Sequence, residues 1–304
     1  AAAETIGFPV LIKRPPEEVV GGFASPPMNR NWSTGSRRPS RRPRPRSETA
    51  ASISNGSSHA RHIEVQVLGD GVDAVHFYER DCSLQRRRQK IWEEAPAAIL
   101  DGETRNHLCE SAVELARSVG YCGAGTVEYL FDPHTGEYFF IEMNTRIQVE
   151  HPITEEICGV DLIQAMIRVA QGEPLPYRQE DIRPRGHAIE VRINAEDPDR
   201  NFMPGPGTIA DLHWPAGPGV RIDSMAYAGY QIPPYYDSMI GKLIVWAEDR
   251  DGALARLDRA LSELELTGLK TTLPFFERLL TQDDVRNNAF HTTWIEQLLE
   301  ARTS

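Results

Sequence analysis

An alternating strand pattern and a dense set of polar side chains come together in residues 138–152, YFFIEMNTRIQVEHP. The alternation predicts a strand that carries on one face Tyr138, Phe140, Glu142 and Asn144. The carboxylate and amide oxygens of that face are ligands that suit Mg²⁺ or Mn²⁺. Just beyond the strand, Arg146 is suited to bind a small oxyanion, and Glu150 is suited to act as a base.

A second strand is predicted just before this one, over residues 125–131, because residues 132–136 have the composition of a turn. A hairpin centred near Thr135 places Glu128 opposite Glu142. Like charges directly opposed on a sheet are destabilising, and a divalent cation between them would remove that cost. The alternative interpretation is two solvated glutamates on an exposed face.

The composition excludes several classes of protein. The chain has 304 residues, of which 40% are hydrophobic and 25% are charged, as expected for a soluble globular protein. A net charge of −11 argues against general nucleic-acid binding. No apolar run is long enough for a membrane span, and the first residues lack a signal-peptide pattern. Four scattered cysteines without a C-x-x-C pair predict a reducing compartment, the cytoplasm or, in a eukaryote, the mitochondrial matrix.

The order of patterns along the chain predicts an α+β fold with antiparallel sheets. A strand with clean alternation is predicted over residues 61–68, and a Pro-rich joint over residues 173–184. Amphipathic helices are predicted over residues 105–119, 160–170 and 249–264. Residues 14–58 differ in kind, since they are rich in Pro, Arg, Ser and Gly and show no sustained periodicity. The missing initiator Met indicates a piece of a longer chain.

Residues 142–152 resemble the active-site run of biotin carboxylases, which have the ATP-grasp fold. Three further blocks resemble the same family, namely RHIEVQ at 61–66, RDCSLQRR at 80–87 and YYDSMIGKL at 235–243. The resemblance is nearly continuous from about residue 60 to about residue 297. It implies four regions: a remnant of the ATP-grasp small subdomain at 1–13, an aberrant segment at 14–58, the ATP-binding domain at 59–184 and the biotin carboxylase C-terminal domain at 185–304.

The family uses ATP and bicarbonate to carboxylate biotin carried on a partner domain, and the resemblance implies a role for each matching residue. The nucleotide would be contacted by Lys13, His62, Gln85, Arg88, Glu128 and Glu142. The metal ions would be held by Glu128, Glu142 and Asn144. Bicarbonate would be held by Lys90, Arg146, Gln148 and Val149. Glu150 would deprotonate bicarbonate, and Arg192 would stabilise the biotin enolate. Taken singly, His62 could be an ordinary strand histidine and Arg192 a surface charge.

The resemblance also implies cofactors and partners. The reaction would need ATP, Mg²⁺ or Mn²⁺, bicarbonate, and biotin on a carboxyl carrier domain. A carboxyltransferase subunit and a second copy of the chain would be further partners, within an acyl-CoA or pyruvate carboxylase. A carbamoyl-phosphate synthase is another ATP-grasp possibility, but the joint presence of Gln148, Val149, Glu150 and Arg192 favours biotin.

The largest departure from the family follows Lys13. The family has a loop that reads roughly Ala-Thr-Ala-Gly-Gly-Gly-Gly-Arg-Gly-Leu-Arg, whose glycines let backbone N–H groups approach the ATP phosphates. This chain instead has RPPEEVVGGFA at residues 14–24. Proline donates no N–H, and the carboxylates of Glu17 and Glu18 repel phosphate. A second departure is Arg88, which replaces a histidine beside the nucleotide. The third is the absence of the family's N-terminal domain.

A shifted reading frame accounts for the substituted loop. Codons can be chosen for residues 13–24 that encode the glycine loop when two bases are skipped. The same skip within residues 52–57 gives Tyr-Leu-Glu-Arg-Phe, which resembles the family's adenine-binding hinge, and the spacing from Lys13 to His62 stays close to the family's. The rival interpretation is a natural disordered insert, whose residues 37–46, with six Arg and three Pro, would bind acidic partners.

Two functions therefore stay open. One is a working ATP-dependent ligase, and the other is a catalytically impaired remnant that acts at most as a subunit-interaction module. Residues 14–58 are predicted to be irregular because they cannot bury enough apolar surface to offset the entropy of ordering. Without the glycine loop, we expect little ATP turnover by this chain.

Overall fold

The computed structural model describes residues 59–303. Lys13, the small-subdomain remnant predicted at 1–13 and the aberrant segment at 14–58 lie outside the described residues. Their predicted roles therefore stay predictions.

One antiparallel sheet of eight strands forms the centre of the described region. Its order is β10-β11-β6-β3-β2-β1-β4-β5. The strands are β1 (Arg61–Asp70), β2 (Ala74–Arg86), β3 (Gln89–Ala95), β4 (Cys122–Phe131), β5 (Tyr138–Asn144), β6 (His187–Asn194), β10 (Val220–Ser224) and β11 (Met239–Ala247). Two further pairs are β7 (Glu196–Asp197) with β8 (Met203–Pro204), and β9 (Leu212–His213) with β12 (Glu265–Leu266). The predicted α+β class with antiparallel sheets is confirmed.

Seven α-helices are described. They are α1 (Gly102–Ser118), α2 (His151–Cys158), α3 (Leu162–Ala170), α4 (Arg250–Glu263), α5 (Leu273–Leu280), α6 (Asp283–Arg286) and α7 (Trp294–Thr303). Aspartates fix three of the helix starts, because Asp101, Asp161 and Asp249 each accept a hydrogen bond from a backbone N–H of the first turn. The prediction started α1 three residues late, since the apolar stripe begins one turn after the cap. None of the helices within residues 59–303 combines the length and apolar character that a membrane span requires.

Strand β1 has a buried apolar face and a buried polar face. Ile63, Val65 and Val67 belong to the same core cluster as Leu108 and Ala112 of α1, as the alternation predicted. The residues that alternate with them are buried too, namely His62, Glu64 and Gln66. Because buried polar groups must find partners, this second face is the place where charged side chains of neighbouring strands converge.

A β-bulge in β5 corrects the predicted faces of that strand. The register shifts, so that Glu128 is opposite Glu142 while the next residue, Tyr129, is opposite Phe140. Phe140 packs with Tyr129 on the side covered by α1, whereas Asn144 bonds to Glu128 on the other side. The prediction that the aromatic residues of β5 share a face with Glu142 and Asn144 is therefore wrong, because the bulge interrupts strict alternation.

The sheet continues across the predicted domain boundary between residues 184 and 185. Strand β6 pairs with β3, and residues Glu93 and Glu190 are directly opposed in that pairing. The largest apolar core lies beyond the boundary, where α4 and α5 cover β6 and β11. The boundary stays a prediction, but the β3–β6 pairing decides which charged residues of the two regions meet.

Candidate active site

A row of acidic side chains crosses three neighbouring strands. Glu64 on β1 is in register with Glu128 on β4, and Glu128 is in register with Glu142 on β5. We refer to these three residues as the carboxylate row. The sequence prediction that Glu128 lies opposite Glu142 is confirmed. On β2, Arg80 extends the row, since it is in register with Glu64.

Arg80 is completely buried at the end of the carboxylate row. Its Nε donates to Glu64 at 2.6 Å, and its other nitrogens donate to Gln66, Thr126, Gln148 and Thr154. Burial by itself raises the pKa of Glu64, but Lys90 and Arg80 outweigh it and lower that pKa to about 2. Glu64 is therefore ionised at neutral pH, and Arg80 is a structural counter-ion for it.

Lys90 on β3 brings one ammonium group to three carboxylates. Its Nζ donates to Glu64, to Glu128 at 3.1 Å and to Glu150 at 2.7 Å. Burial by itself lowers the pKa of Lys90, but the surrounding carboxylates raise it well above its ordinary value. Part of the positive charge that the carboxylate row needs is therefore supplied by the chain itself.

Glu150 lies between two cations that come from distant parts of the chain. Its Oε1 accepts from Lys90, and its Oε2 accepts from Arg192 of β6 at 3.0 Å. Arg192 also donates to Glu93 of β3 at 2.7 Å. Glu150 is 2% exposed. The predicted base and the arginine predicted to contact biotin therefore meet at one buried point.

Lys242 on β11 holds the main chain next to Glu150. Its Nζ donates to the Val149 carbonyl at 2.7 Å and lies 3.4 Å from Asp223. Helix α2 begins directly after Glu150, with Pro152 in its first turn, where a missing N–H costs nothing. The segment that carries Glu150 is thus fixed on one side by a helix start and on the other by a strand of the C-terminal region.

Among the predicted metal ligands, Glu128 contacts several neighbouring side chains. Its Oε1 accepts from the amides of Asn144 at 2.9 Å and Gln148 at 3.0 Å, and its Oε2 lies 3.0 Å from the His62 ring. Burial opposes ionisation, but His62 and Lys90 hold the pKa of Glu128 far below its ordinary value. The predicted metal ligands, Glu128, Glu142 and Asn144, offer the oxygen atoms that Mg²⁺ and Mn²⁺ take as ligands, and this site stays a prediction.

Two other groups of side chains also have the spacing of metal ligands. One contains His62, Glu64 and Glu128, the other contains Glu64, Cys82 and Glu150, and the ligand atoms of each lie within 4.8 Å of one another. The Lys90 ammonium bonds to carboxylates of both groups. Glu64 belongs to both groups, and Arg80 and Lys90 compensate its charge without a metal ion, whereas the predicted set of Glu128, Glu142 and Asn144 does not include Glu64.

The structure connects the remaining predicted site residues less directly to the carboxylate row and Glu150. Gln85 is buried on β2 and is in register with Lys90. Arg88 is exposed in the β2–β3 turn, with a φ of 66°. Arg146 is exposed, and its Nη1 donates to the neighbouring Ile147 carbonyl at 3.2 Å. Among the side chains within residues 59–301, no hydrogen bond or ion pair joins Arg146 to Glu150, so its predicted part in holding bicarbonate stays a prediction.

Sequence reasoning assigned no role to several residues that the structure brings to the site. They are Glu64, Arg80, Glu93, Glu190 and Lys242. Glu64 could have been found, because it lies between His62 and Gln66 on a strand whose opposite face is apolar. The others depend on strand pairings between residues far apart in the sequence, which alternation alone does not predict.

Comparison with known families covers almost the whole chain. Residues 1–178 match the family described as "Carbamoyl-phosphate synthase L chain, ATP binding domain". Residues 190–297 match the "Biotin carboxylase C-terminal domain". The first match spans the aberrant segment as well as the carboxylate row.

Curated relatives and solved structures agree with these matches. The chain is 52% identical to "Biotin carboxylase 1" of Bacillus subtilis over 237 residues, which are 78% of this chain and 53% of the relative. It is 44% identical to "Biotin carboxylase" of a Nostoc species over 310 residues, or 97% of this chain and 66% of the relative. The biotin carboxylase subunit of a pyruvate carboxylase superposes with a TM-score of 0.78 at 45% identity, covering 80% of this chain and 54% of that chain.

A second solved structure was determined with ligands. It is the biotin carboxylase domain dimer of the Hydrogenobacter thermophilus 2-oxoglutarate carboxylase, in complex with MgADP, ADP and bicarbonate. It superposes with a TM-score of 0.77 at 48% identity and covers 79% of this chain and 53% of that chain.

The antiparallel sheet, the carboxylate row and the buried Glu150 define a protein of the ATP-grasp class. The chain spans 66% and 53% of the two curated relatives compared above, so it corresponds to part of their length. Within that class, the chain belongs to the biotin carboxylase family.

Proposed function

We propose that this chain serves the ATP-dependent carboxylation of biotin with bicarbonate, through carboxyphosphate. The observation that carries the proposal is the place of Glu150 between Lys90 and Arg192. A buried carboxylate held between two cations is a base whose position is fixed. Each cation can bind an anion on its own side of the carboxylate.

Different site residues act in different steps of the proposed reaction. Bicarbonate is held by Lys90, Arg146, Gln148 and Val149. Glu150 takes the bicarbonate proton, so that the bicarbonate oxygen attacks the γ-phosphorus of ATP and ADP leaves. Carboxyphosphate then breaks down to CO₂ and phosphate. The released phosphate takes the N–H proton of biotin, and Arg192 stabilises the negative charge of the resulting enolate, whose nitrogen takes up the CO₂.

The nucleotide is bound beside the carboxylate row. Glu128, Glu142 and Asn144 would hold Mg²⁺ or Mn²⁺, which would neutralise the charge of the ATP phosphates. His62, Gln85 and Arg88 contact the nucleotide in this proposal, together with Lys13.

The proposed partners follow from the reaction. Biotin reaches Arg192 on a carrier domain, a carboxyltransferase subunit uses the carboxylated biotin, and a second copy of the chain forms a homodimer. The solved relative in complex with MgADP and bicarbonate is a dimer, which supports the last point. The four cysteines are free thiols, in keeping with the proposed reducing compartment, the cytoplasm or the mitochondrial matrix.

Arg192→Lys tests the proposal, because lysine keeps the charge but loses the planar fork that bonds both Glu93 and Glu150. We expect ADP formation stimulated by biotin to fall roughly tenfold or more, while the slower bicarbonate-dependent ADP formation without biotin persists. The matched control is Arg178→Lys, because Arg178 has a side chain 80% exposed. Equal losses with and without biotin would contradict the role given to Arg192.

A catalytically impaired remnant is the second candidate, and the sequence of residues 14–24 favours it. Its prolines and glutamates replace the glycine loop whose backbone N–H groups would bind ATP phosphates.

We expect replacement of residues 14–58 by their shifted-frame translation to raise ATP turnover by roughly 10²-fold or more, the size of effect seen when a single transition-state donor is removed. Steady-state ADP release by the two chains measures this. As a control, the same replacement is made in a chain carrying Glu150→Gln, which should stay roughly 10²–10⁴-fold slower than the restored chain. Equal turnover by the present and the restored chains would exclude impairment.

A further inference from the structure

Two carboxyl groups face each other behind Arg192. Glu93 on β3 and Glu190 on β6 are directly opposed in the antiparallel pairing, and both are completely buried. Among the described residues, neither carboxylate oxygen of Glu190 has a hydrogen-bond partner, and Oε2 of Glu93 has none. Buried acceptors without partners are rare and costly, so this arrangement needs an explanation.

The charged groups around Glu190 come from every element packed on that face of the sheet. Glu93 comes from β3, Arg192 lies two residues further along β6, and Lys242 comes from the paired strand β11. At the start of α2, the Glu150 carboxylate faces the same cluster of charged side chains. His151 is the next residue, and its Nδ1 lies near the Gln148 carbonyl. Elsewhere α2 presents apolar groups to β6, namely Ile153 and Ile157.

The nearby cations already have partners. Arg192 bonds to Glu93 and Glu150, and Lys242 bonds to the Val149 carbonyl and lies near Asp223. Within residues 59–301, neither Arg192 nor Lys242 forms a hydrogen bond or an ion pair with Glu190. An ionised Glu190 would therefore be a second buried negative charge directly opposite Glu93.

We propose that Glu190 is a positioning residue whose carboxyl group is a neutral acid that donates a hydrogen bond to Glu93. The shared proton satisfies Oε2 of Glu93 and lets Oε1 hold the Arg192 guanidinium on Glu150. Glu190 acts only through Arg192, so its catalytic relevance rests on the function proposed above.

The direction of the pKa shifts agrees with this assignment. Burial, and then the charge of Glu93, raise the pKa of Glu190 well above its ordinary value. Burial also raises the pKa of Glu93, to about 7, although Arg192 opposes the rise. The pair titrates as a unit. At alkaline pH it releases its proton to solvent, and the second negative charge draws Arg192 away from Glu150.

The position of Arg192 can be followed directly in the full chain. The chain is labelled with [¹⁵N]arginine, and the Nε–H signal of Arg192 is identified as the one missing from Arg192→Lys. We expect this signal to shift as the pH is raised into the alkaline range. Glu190→Gln keeps the shape and a donor but cannot ionise, so the shift should disappear. The exposed Arg178 serves as the internal control. A shift that persists in Glu190→Gln would overturn the proposal.

Stability provides a second readout that needs no turnover. Because the pKa of Glu190 is raised on folding, its stabilising contribution is complete below the ordinary carboxyl value of 4.5 and is lost as pH rises through the folded value. Between the ordinary pKa and the folded pKa of Glu190, the folding constant of the unsubstituted chain should fall relative to that of Glu190→Gln. The expected decrease is up to about tenfold per pH unit. Denaturant unfolding between pH 5 and pH 9 measures this, with the exposed Glu277→Gln as control. A pH-independent difference would overturn the proposal.

If Glu190→Gln does not fold, Glu93→Gln gives an independent test. It removes the opposing charge, so the titration of Glu190, followed by the pH dependence of unfolding, is expected to move to lower pH. An unchanged midpoint would overturn the proposal. These readouts follow the proton of Glu190 and do not depend on catalysis. If they give the expected results while biotin does not stimulate ADP formation, the proposed function is refuted and the role of Glu190 is not.

Discussion

Glu150→Gln is expected to lower bicarbonate-dependent ADP formation by roughly 10²–10⁴-fold, the usual contribution of a general base. The amide has the same shape as the carboxylate and stays between Lys90 and Arg192, but it cannot take a proton from bicarbonate. Single-turnover measurement, with the chain in excess over ATP, makes a slow reaction visible even with the substituted loop.

The control for this prediction is Glu156→Gln. Glu156 is on α2, close to Glu150 in the sequence, but its side chain is 31% exposed and pairs with Arg221 at 3.5 Å. This change should leave the rate within about twofold, since a surface ion pair contributes little. If Glu150→Gln retains the rate of the unsubstituted chain, Glu150 is not the base.

Arg80→Leu has the largest expected effect on stability. It removes the guanidinium from Glu64, which is completely buried, and leaves Gln66, Thr154 and Gln148 without a donor that they use. Removing one partner of a buried ion pair costs about 3–5 kcal/mol, because the remaining charge is left uncompensated. Lys90 still contacts Glu64, so the lower end of that range is expected.

Denaturant unfolding followed by Trp fluorescence measures this loss. Arg117→Leu is the matched control, because Arg117 pairs with Asp73 on the surface, where the two side chains are 49% and 57% exposed. We expect the control to change the free energy of unfolding by about 1 kcal/mol or less. A similar small change for Arg80→Leu would show that the buried network around Glu64 contributes little to folding.

The hairpin of β4 and β5 could be predicted from the sequence because its information is local. A short turn fixes the register, and the register sets Glu128 opposite Glu142. The β-bulge that separates Phe140 from Glu142 has no comparable sequence pattern here, so the predicted faces failed at that point. Local alternation also predicted the apolar face of β1 correctly.

The meeting of Glu150 with Arg192 could not be derived from local pattern. The two residues are 42 positions apart, and the pairing of β6 with β3 and β11 brings them together. Resemblance to a family implied a role for each residue, but it did not predict that Glu93 and Glu190 stand behind Arg192. Because buried acids are rare in general, the sequence alone predicts that a glutamate in an apolar strand such as β6 is exposed. Its burial becomes evident only when the neighbouring strands are known.

The most direct test of the proposed function is single-turnover ADP formation by the chain with residues 14–58 restored to the shifted frame, measured with bicarbonate and either biotin or ammonia. We predict that biotin accelerates ADP formation in the presence of bicarbonate, that ammonia does not, and that Glu150→Gln slows the reaction by roughly 10²–10⁴-fold. Acceleration by ammonia without any effect of biotin would contradict the proposal and would indicate carbamoyl-phosphate chemistry instead.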